Sequence, residues 1–147
     1  MKLFSCVYLL ILVTSAASIM MKYTDCGSTA TIHFILIEEC HHDPCVLQSG
    51  HNYTILVSFT PRERHNQVRS LMSLTDPLKT DTPVPVWTNY QCGDLSVLCP
   101  VQPGILQTYS ANFVGPYHST INVDLKWEIK DEKDHEIICF ILAELIQ

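Results

Sequence analysis

The most restrictive feature of this 147-residue sequence is a strict alternation of apolar and polar residues near its C-terminus. A period of two places apolar side chains on one face of an extended strand and polar side chains on the other. The segment TINVDLKWEIK, residues 120–130, therefore predicts a long β-strand with one buried face. The following DEKD, residues 131–134, predicts a turn. The apolar positions of the strand are Ile121, Val123, Leu125, Trp127 and Ile129.

Other segments show strand patterns of differing clarity. HEIICFILAELI (residues 135–146) predicts an apolar strand that returns antiparallel, and HNYTILVSF (51–59) alternates well. ATIHFILIEE (30–39) alternates less regularly, and the prolines of TPVPVW restrict that segment to an edge strand or an extended loop. QVRSLMSL (67–74) and LQTYSANFV (106–114) predict weaker strands, and helical spacing is not sustained anywhere. Seven or eight antiparallel strands in one domain predict an all-β sandwich.

The N-terminus has the three parts of a secretory signal peptide, namely Lys2, an apolar run at residues 3–13 and the small residues TSAAS. The run is shorter than the ~20 apolar residues of a membrane span. A membrane anchor is the alternative, but no stop-transfer pattern follows. We expect a signal peptide at residues 1–17, cleaved after Ala17, and a single domain at 18–147. The product is expected to be secreted, or delivered to the lumen of an endosome or lysosome.

Removal of the signal peptide takes Cys6 with it and leaves an even number of cysteines. In an oxidising compartment an even number favours a disulfide framework, although composition alone does not choose among the pairings. Spacing favours pairing each close neighbour, which leaves the first cysteine for the last. The remaining cysteines are Cys26, Cys40, Cys45, Cys92, Cys99 and Cys139.

The stretch CHHDPC, residues 40–45, has three interpretations: a metal site, a catalytic cluster or a loop closed by a disulfide. Asp43 and Pro44 favour a turn that lets Cys40 and Cys45 approach. A disulfide-bonded cysteine offers no thiolate to zinc. The disulfide loop is therefore favoured.

Charge and motif content exclude several function classes. The formal net charge is −6, which argues against nucleic acid as a partner. The one basic cluster, PRERHNQVR at residues 61–69, is interpreted as a solvated hairpin turn rather than a docking patch. The seven histidines would gain positive charge in an acidic organelle. No G-x-S-x-G, H-E-x-x-H or phosphate-loop motif occurs, so we expect no enzyme, cofactor or metal. The acidic pairs Glu38/Glu39 and Asp131/Glu132 are interpreted as strand-end and turn charges.

The tripeptide Asn52-Tyr53-Thr54 is an N-glycosylation sequon. It lies on a predicted strand, with Asn52 on the polar face. We expect a glycoprotein modified at Asn52.

Short motifs in a fixed order carry a family resemblance over essentially the whole mature chain. They are DCGS (25–28), CHHDPCVLQSG (40–50), FTP (59–61), PVPVW (83–87), LCPVQPG (98–104), TYS (108–110), LKWEIKDE (125–132) and CF (139–140). The chain resembles the ML lipid-recognition family. Within it, the sequence is most similar to the Niemann–Pick type C-two branch of secreted sterol carriers, with arthropod members and mite group-two allergens also similar.

The resemblance implies an immunoglobulin-like sandwich of seven to eight antiparallel strands with an apolar cavity between its sheets. It also implies the pairs Cys26–Cys139, Cys40–Cys45 and Cys92–Cys99, in agreement with spacing. The gate residues of the sterol carriers match Val86 with its neighbour Trp87, Phe113/Val114 and Tyr117. The predicted lipid-binding residues are Phe34, Tyr53, Ile55, Val57, Phe59, Val86, Trp87, Phe113, Val114, Tyr117, Leu125, Trp127 and Phe140.

These expectations combine into a monomeric carrier of one small apolar ligand, a sterol, a fatty acid or a related lipid. Its role would be intracellular sterol transport or extracellular carriage of lipids or semiochemicals, with transient membrane or receptor contact. The alternative is an interaction protein that presents lipid to an immune receptor or to a glycolipid hydrolase. A third alternative is a structural, allergen-like protein with a filled core.

Overall fold

The computed structural model describes residues 18–75, 81–83, 99–115 and 123–145, and every regular element within them is a β-strand. No helix in these ranges is long and apolar enough to cross a membrane. The strands are β1 (Thr24–Asp25), β2 (Thr31–Ile37), β3 (Asn52–Thr60), β4 (Val68–Thr75), β5 (Asp81–Pro83), β6 (Gln107–Val114), β7 (Val123–Asp131) and β8 (Glu136–Leu145).

The strands form two antiparallel sheets that together make a β-sandwich. One sheet has five strands in the order β1-β8-β7-β4-β5, and the other has three in the order β2-β3-β6. The predicted all-β fold is therefore confirmed. β5, which ends at Pro83, lies at the edge of its sheet, as the prolines predicted.

A β-bulge explains why the first long strand alternates poorly in sequence. Ile32 lies opposite Phe59, but the register then shifts so that Phe34 lies opposite Ser58. The extra residue reverses the orientation of every later side chain in β2. As a result Ile35 and Ile37 are fully buried on the inner face, whereas Phe34 is partly exposed on the outer one.

The alternating strand β7 and its partner β8 form the hairpin that the sequence predicts. Trp127 lies opposite Phe140, and Ile129 lies opposite Ile138. Asp131 closes the turn, because its Oδ1 accepts hydrogen bonds from the backbone N–H groups of Lys133 and His135, both at 2.8 Å. Asp134 takes a φ of 66°, a left-handed conformation that aspartate adopts more readily than most residues.

Two described connections cross from one sheet to the other at the same end of the sandwich. Residues 26–30 lead from β1 to β2, and residues 61–67 lead from β3 to β4. The second connection is therefore a sheet crossing and not the hairpin turn that the basic cluster predicted. We call this end, which includes the β7–β8 turn, the lower end. The upper end is the opposite one, where Tyr53 lies opposite Phe113.

Two predicted disulfides are confirmed. Cys26 and Cys139 are bonded with their Cα atoms 5.0 Å apart, and Cys40 and Cys45 with theirs 5.5 Å apart. Cys99 is disulfide-bonded. Its predicted partner, Cys92, lies outside the described residues.

Candidate ligand-binding site

The facing surfaces of the two sheets are almost entirely apolar. The inner face of the three-stranded sheet is fully or nearly fully buried, and the same is true of most of the opposing face. Alternation produces this result, because each strand turns every second side chain inward. The buried inner residues are Ile35, Ile37, Tyr53, Ile55, Val57, Phe59, Tyr109, Ala111 and Phe113 on one sheet, and Val68, Met72, Leu125, Trp127, Ile129, Ile138, Phe140 and Leu142 on the other.

An aromatic contact joins the two sheets near the middle of the sandwich. The rings of Tyr109 and Trp127 lie 5.6 Å apart, edge to face, and both side chains are 0% exposed. The Trp127 ring also packs edge-on against Phe140 at 5.5 Å. The Trp127 Nε1–H donates a hydrogen bond to the buried Ser70 hydroxyl, which satisfies the one polar group of the indole. The position of the indole is thus fixed from three sides.

Above this contact, toward the upper end, the inner faces carry aliphatic side chains. Ile37, Ile55 and Ala111 form the next row on one sheet, because each lies opposite its neighbour in the register. Ala111 is the smallest of the inward residues and stands between two aromatic neighbours on its strand. The corresponding row of the other sheet consists of Leu74, Leu125 and Leu142.

The upper end has an aromatic pair with a polar rim. The rings of Tyr53 and Phe113 stack at 5.5 Å. The Tyr53 hydroxyl accepts a hydrogen bond of 2.7 Å from the backbone N–H of Gln48. Gly115 approaches this rim so closely that an added Cβ would lie 2.1 Å from the Gln48 carbonyl oxygen. Glycine is required there by space rather than by backbone conformation.

The lower end is organised by one buried carboxylate. The Oδ2 of Asp131 lies 3.5 Å from the Nδ1 of His65 and 3.5 Å from the Nδ1 of His135. Burial alone would raise the pKa of Asp131, but the N–H groups of His135 and Lys133, aided by charge on the two imidazoles, outweigh it and hold that pKa below its usual value. The His65 backbone exchanges two hydrogen bonds with Val101, at 3.0 and 2.8 Å.

A polar hollow of about 230 Å³ also lies at the lower end. It is lined by Gln67, Val68, Arg69, Asp131, Glu132 and Asp134. Arg69 is ion-paired with Asp134 inside this lining. Its charged walls make it unlike the apolar site that the sequence predicts.

The predicted lipid-binding residues divide into three groups. Phe34 and Val114 are partly exposed on the outward face of the three-stranded sheet, where they lie opposite Ser58 and Asn52. Val86, Trp87 and Tyr117 fall outside the described residues. The structure brings the others together on the inner faces: Tyr53, Ile55, Val57, Phe59, Phe113, Leu125, Trp127 and Phe140.

Other candidate groups lie away from the inner faces. His41 and His42 are exposed in the loop closed by Cys40 and Cys45, and they join no metal-ligating group among the described residues. Asn52 is exposed at the start of β3.

The described part of the chain does contain one group with metal-type ligand atoms, formed by Glu128, Glu136 and Cys139. Cys139 is bonded to Cys26 and offers no thiolate. Both carboxylates are ion-paired with Lys130, Glu128 at 3.4 Å and Glu136 at 3.7 Å.

Sequence reasoning missed several residues that shape the site. The sequence predicts a turn charge at Asp131 but not its burial, and it gives no signal for the buried His65. Tyr109 and Ala111 could have been identified from the sequence, because they alternate with polar residues ahead of Phe113. Ser70 could not be identified, because its role depends on facing Trp127 from a neighbouring strand.

Comparison with known proteins identifies the family. Residues 20–143 match the family model of the ML domain, so the chain belongs to the ML domain family. It is 27% identical to the ecdysteroid-regulated 16 kDa protein of Manduca sexta over 133 residues, which cover 84% of this chain and 87% of the relative. It is 23% identical to the NPC intracellular cholesterol transporter 2 of Mus musculus, over 91% of this chain and 90% of the relative.

Solved structures show the same fold. A Niemann-Pick type C2 protein from Japanese carpenter ant superposes with a TM-score of 0.73 at 24% identity, covering 86% of this chain and 99% of that one. Chicken MD-1, complexed with lipid IVa, superposes with a TM-score of 0.56 at 14% identity, covering 84% and 88%. The predicted family is confirmed. This membership supports a lipid-binding carrier and agrees with the prediction that the protein is not an enzyme.

Proposed function

We propose that this protein is a secreted carrier that holds one apolar ligand, a sterol or a fatty-acid-like lipid, between its two sheets at the upper end. The observation that carries the proposal is the pair of aliphatic rows above the Tyr109–Trp127 contact, with Ala111 as the smallest member. Such walls offer no hydrogen-bonding partner, so they favour a ligand without polar groups along its buried length.

Ligand binding is driven by the hydrophobic effect, because water leaves both the ligand surface and the apolar walls, and it requires no covalent step. A ligand that buries ~400 Å² of its own surface would gain ~10 kcal/mol at ~25 cal/mol per Å², before ordering and association costs. The name of the mouse relative, an intracellular cholesterol transporter, supports a sterol as one candidate ligand. Carriage of other lipids or semiochemicals outside the cell is the second role consistent with the same site.

Several parts of the proposal rest on the sequence. The protein would carry a signal peptide at residues 1–17, a single domain at 18–147 and a glycan at Asn52, and would act as a monomer in the extracellular fluid or an endosomal or lysosomal lumen. The proposed lining keeps the predicted inner-face residues at and above the Tyr109–Trp127 contact and adds Ala111. It leaves out Phe59, which lies below that contact, and Phe34 and Val114, which face outward. The predicted gate residues Val86, Trp87 and Tyr117 remain part of the proposal.

The test is to express the mature chain, extract it with organic solvent and identify co-purified lipids by mass spectrometry. Delipidated protein would then be titrated with a fluorescent sterol and a fluorescent fatty acid. An Ala111→Leu variant, which adds bulk to the upper rows, should bind both probes more weakly, and Leu71→Ser, on the exposed outer face, is the matched control. Absence of co-purified lipid together with no uptake of either probe contradicts the proposal.

A lipid-presenting interaction protein is the second candidate. It is favoured by the fold shared with chicken MD-1, whose structure was solved with lipid IVa. This candidate predicts a stable protein complex that forms only with ligand present. A pull-down with tagged, delipidated protein, with and without added lipid, separates it from a carrier that acts alone.

A further inference from the structure

We propose that Tyr109 and Trp127 form the floor of the ligand compartment and thereby set the length of apolar chain that the protein accepts. This inference rests on the proposed carrier function and adds the residues that decide which ligands fit. It begins from the ring contact of 5.6 Å that joins the two sheets.

The two rings are poorly placed to move aside for a ligand. Both side chains are 0% exposed, and the Trp127 indole is held by its hydrogen bond to Ser70 and by its contact with Phe140. A ligand that displaced the indole would break that hydrogen bond and leave the buried Ser70 hydroxyl without its donor, which is costly in an apolar interior.

Below the rings, toward the lower end, the interior is filled by buried apolar side chains. Phe59, Val68 and Ile129 are buried there at 1% exposure or less. The crossing connections at residues 26–30 and 61–67 hold the sheets together at this end. A ligand entering from the upper end therefore meets the Tyr109–Trp127 contact before it reaches this packed region.

The geometry above the rings gives a length scale. From Tyr109 to Phe113 the strand advances four residues, about 13 Å at ~3.3 Å per residue. The row between these levels is aliphatic on each sheet, and Ala111, its smallest member, has an aromatic neighbour on either side along its strand. An apolar chain longer than this compartment must leave its end in water at the upper end or displace a ring.

The test measures the affinity of delipidated protein for a series of saturated fatty acids from octanoate to stearate. Each added methylene that becomes buried improves affinity by about fourfold. In the wild-type protein the improvement should stop once the chain reaches the floor. In Tyr109→Ala, which removes the ring, the plateau should move to chains several methylenes longer, and the affinity for stearate should rise by at least tenfold.

Three companion variants keep the test decisive. Tyr109→Phe retains the ring and should retain the wild-type plateau. Val68→Ala removes buried volume below the floor and should lower the melting temperature without moving the plateau. Ala111→Leu adds bulk above the floor and should move the plateau to shorter chains, which tests the same idea if Tyr109→Ala does not fold.

The possible results distinguish failure of the proposed floor from failure of the proposed carrier function. If the wild-type protein binds fatty acids, and neither Tyr109→Ala nor Ala111→Leu moves the plateau, the floor is overturned and the carrier function stands. If the wild-type protein binds no chain of any length and no sterol, the carrier function fails and this inference fails with it. A plateau that moves to longer chains in Tyr109→Ala and to shorter chains in Ala111→Leu supports both the floor and the carrier function.

Discussion

The lower and upper ends of the sandwich are held by different kinds of contact. At the lower end, two of the connections within the described residues cross between the sheets, and the buried Asp131 carboxylate accepts two backbone hydrogen bonds beside two imidazoles. At the upper end, the inner rows are aliphatic, and the described hydrogen bonds link Gln48, His51 and Gly115 at the rim. The described directional bonds of the lower end include those of a connection between the sheets, whereas those of the upper rim lie within the three-stranded sheet and its loops.

For the proposed carrier, this difference would combine a stable lower end with an apolar interior at the upper end that can receive a ligand. At the lower end, the connections at residues 26–30 and 61–67 cross between the sheets beside the hydrogen-bonded Asp131 turn. Aliphatic surfaces are non-directional and can adapt to a ligand without leaving polar groups unsatisfied. The Tyr109–Trp127 contact lies at the boundary between the two regions.

The largest expected loss in the free energy of unfolding follows substitution of Asp131 at the lower end. Asp131→Ala removes the acceptor for the N–H groups of Lys133 and His135, and should reduce the free energy of unfolding by about 3 kcal/mol. Asp131→Asn keeps one acceptor oxygen and should cost about half as much. Chemical denaturation of the delipidated proteins measures both. Equal losses for the two variants would contradict hydrogen-bond acceptance by Asp131 as the source of the stability.

A slightly smaller effect is expected at the upper rim. Gly115→Ala places a Cβ 2.1 Å from the Gln48 carbonyl oxygen and 3.2 Å from the Tyr53 ring. The loop must shift, and the cost should be about 2 kcal/mol in the free energy of unfolding. Gly104→Ala is not a suitable control, since Gly104 has a φ of +74° and is strained for any side chain. Ser49→Ala, at an exposed position in the β2–β3 loop that carries Gln48, is the matched control, and an equal loss there would contradict the steric explanation.

The two regions should also respond differently to added bulk. Ala30 lies in a crossing connection at the lower end and Ala111 in the upper rows, and both are buried. Ala30→Leu should cost about 2 kcal/mol through overpacking, whereas Ala111→Leu should cost under about 1 kcal/mol in the delipidated protein. Thermal or chemical unfolding of both variants compares the regions directly. Losses of the same size would mean that the upper region is as tightly filled as the lower one.

The smallest expected effect is a change in stability with pH that arises from Asp131. Because the pKa of Asp131 is lowered in the folded protein, its carboxylate contributes stability above the ordinary value of 3.8, and that stability is lost as pH falls through the folded pKa. The pKa of Asp25 is also lowered, since hydrogen bonds from Gly27 and Ser28 outweigh its burial, whereas burial and the nearby Glu128 raise the pKa of Glu136.

The contribution of Asp131 is therefore measured as a difference between two proteins. Unfolding free energies of wild type and Asp131→Asn, followed from pH 5 downward, should converge as the carboxylate is protonated. Curves that stay parallel across this range would exclude a pH-dependent role for Asp131.

The sequence predicted the strands and their regular alternation better than the orientation and burial of particular side chains. Alternation in β3 and β7 identified Tyr53, Ile55 and Trp127 as inward residues, because the period of a strand is local information. The orientation of Phe34 could not be predicted, since it depends on a bulge that shifts the β2 register by one residue. The burial of Asp131 likewise depends on His65, which approaches from a different strand connection.

The most direct test of the proposed ligand site is a crystal structure of the delipidated protein soaked with a brominated fatty acid. Anomalous density for bromine is expected between the two sheets, above the Tyr109–Trp127 contact and beside Ala111. The proposed site is contradicted by sheets in full contact up to the Tyr53–Phe113 pair, with voids no larger than an atom and no bromine between them.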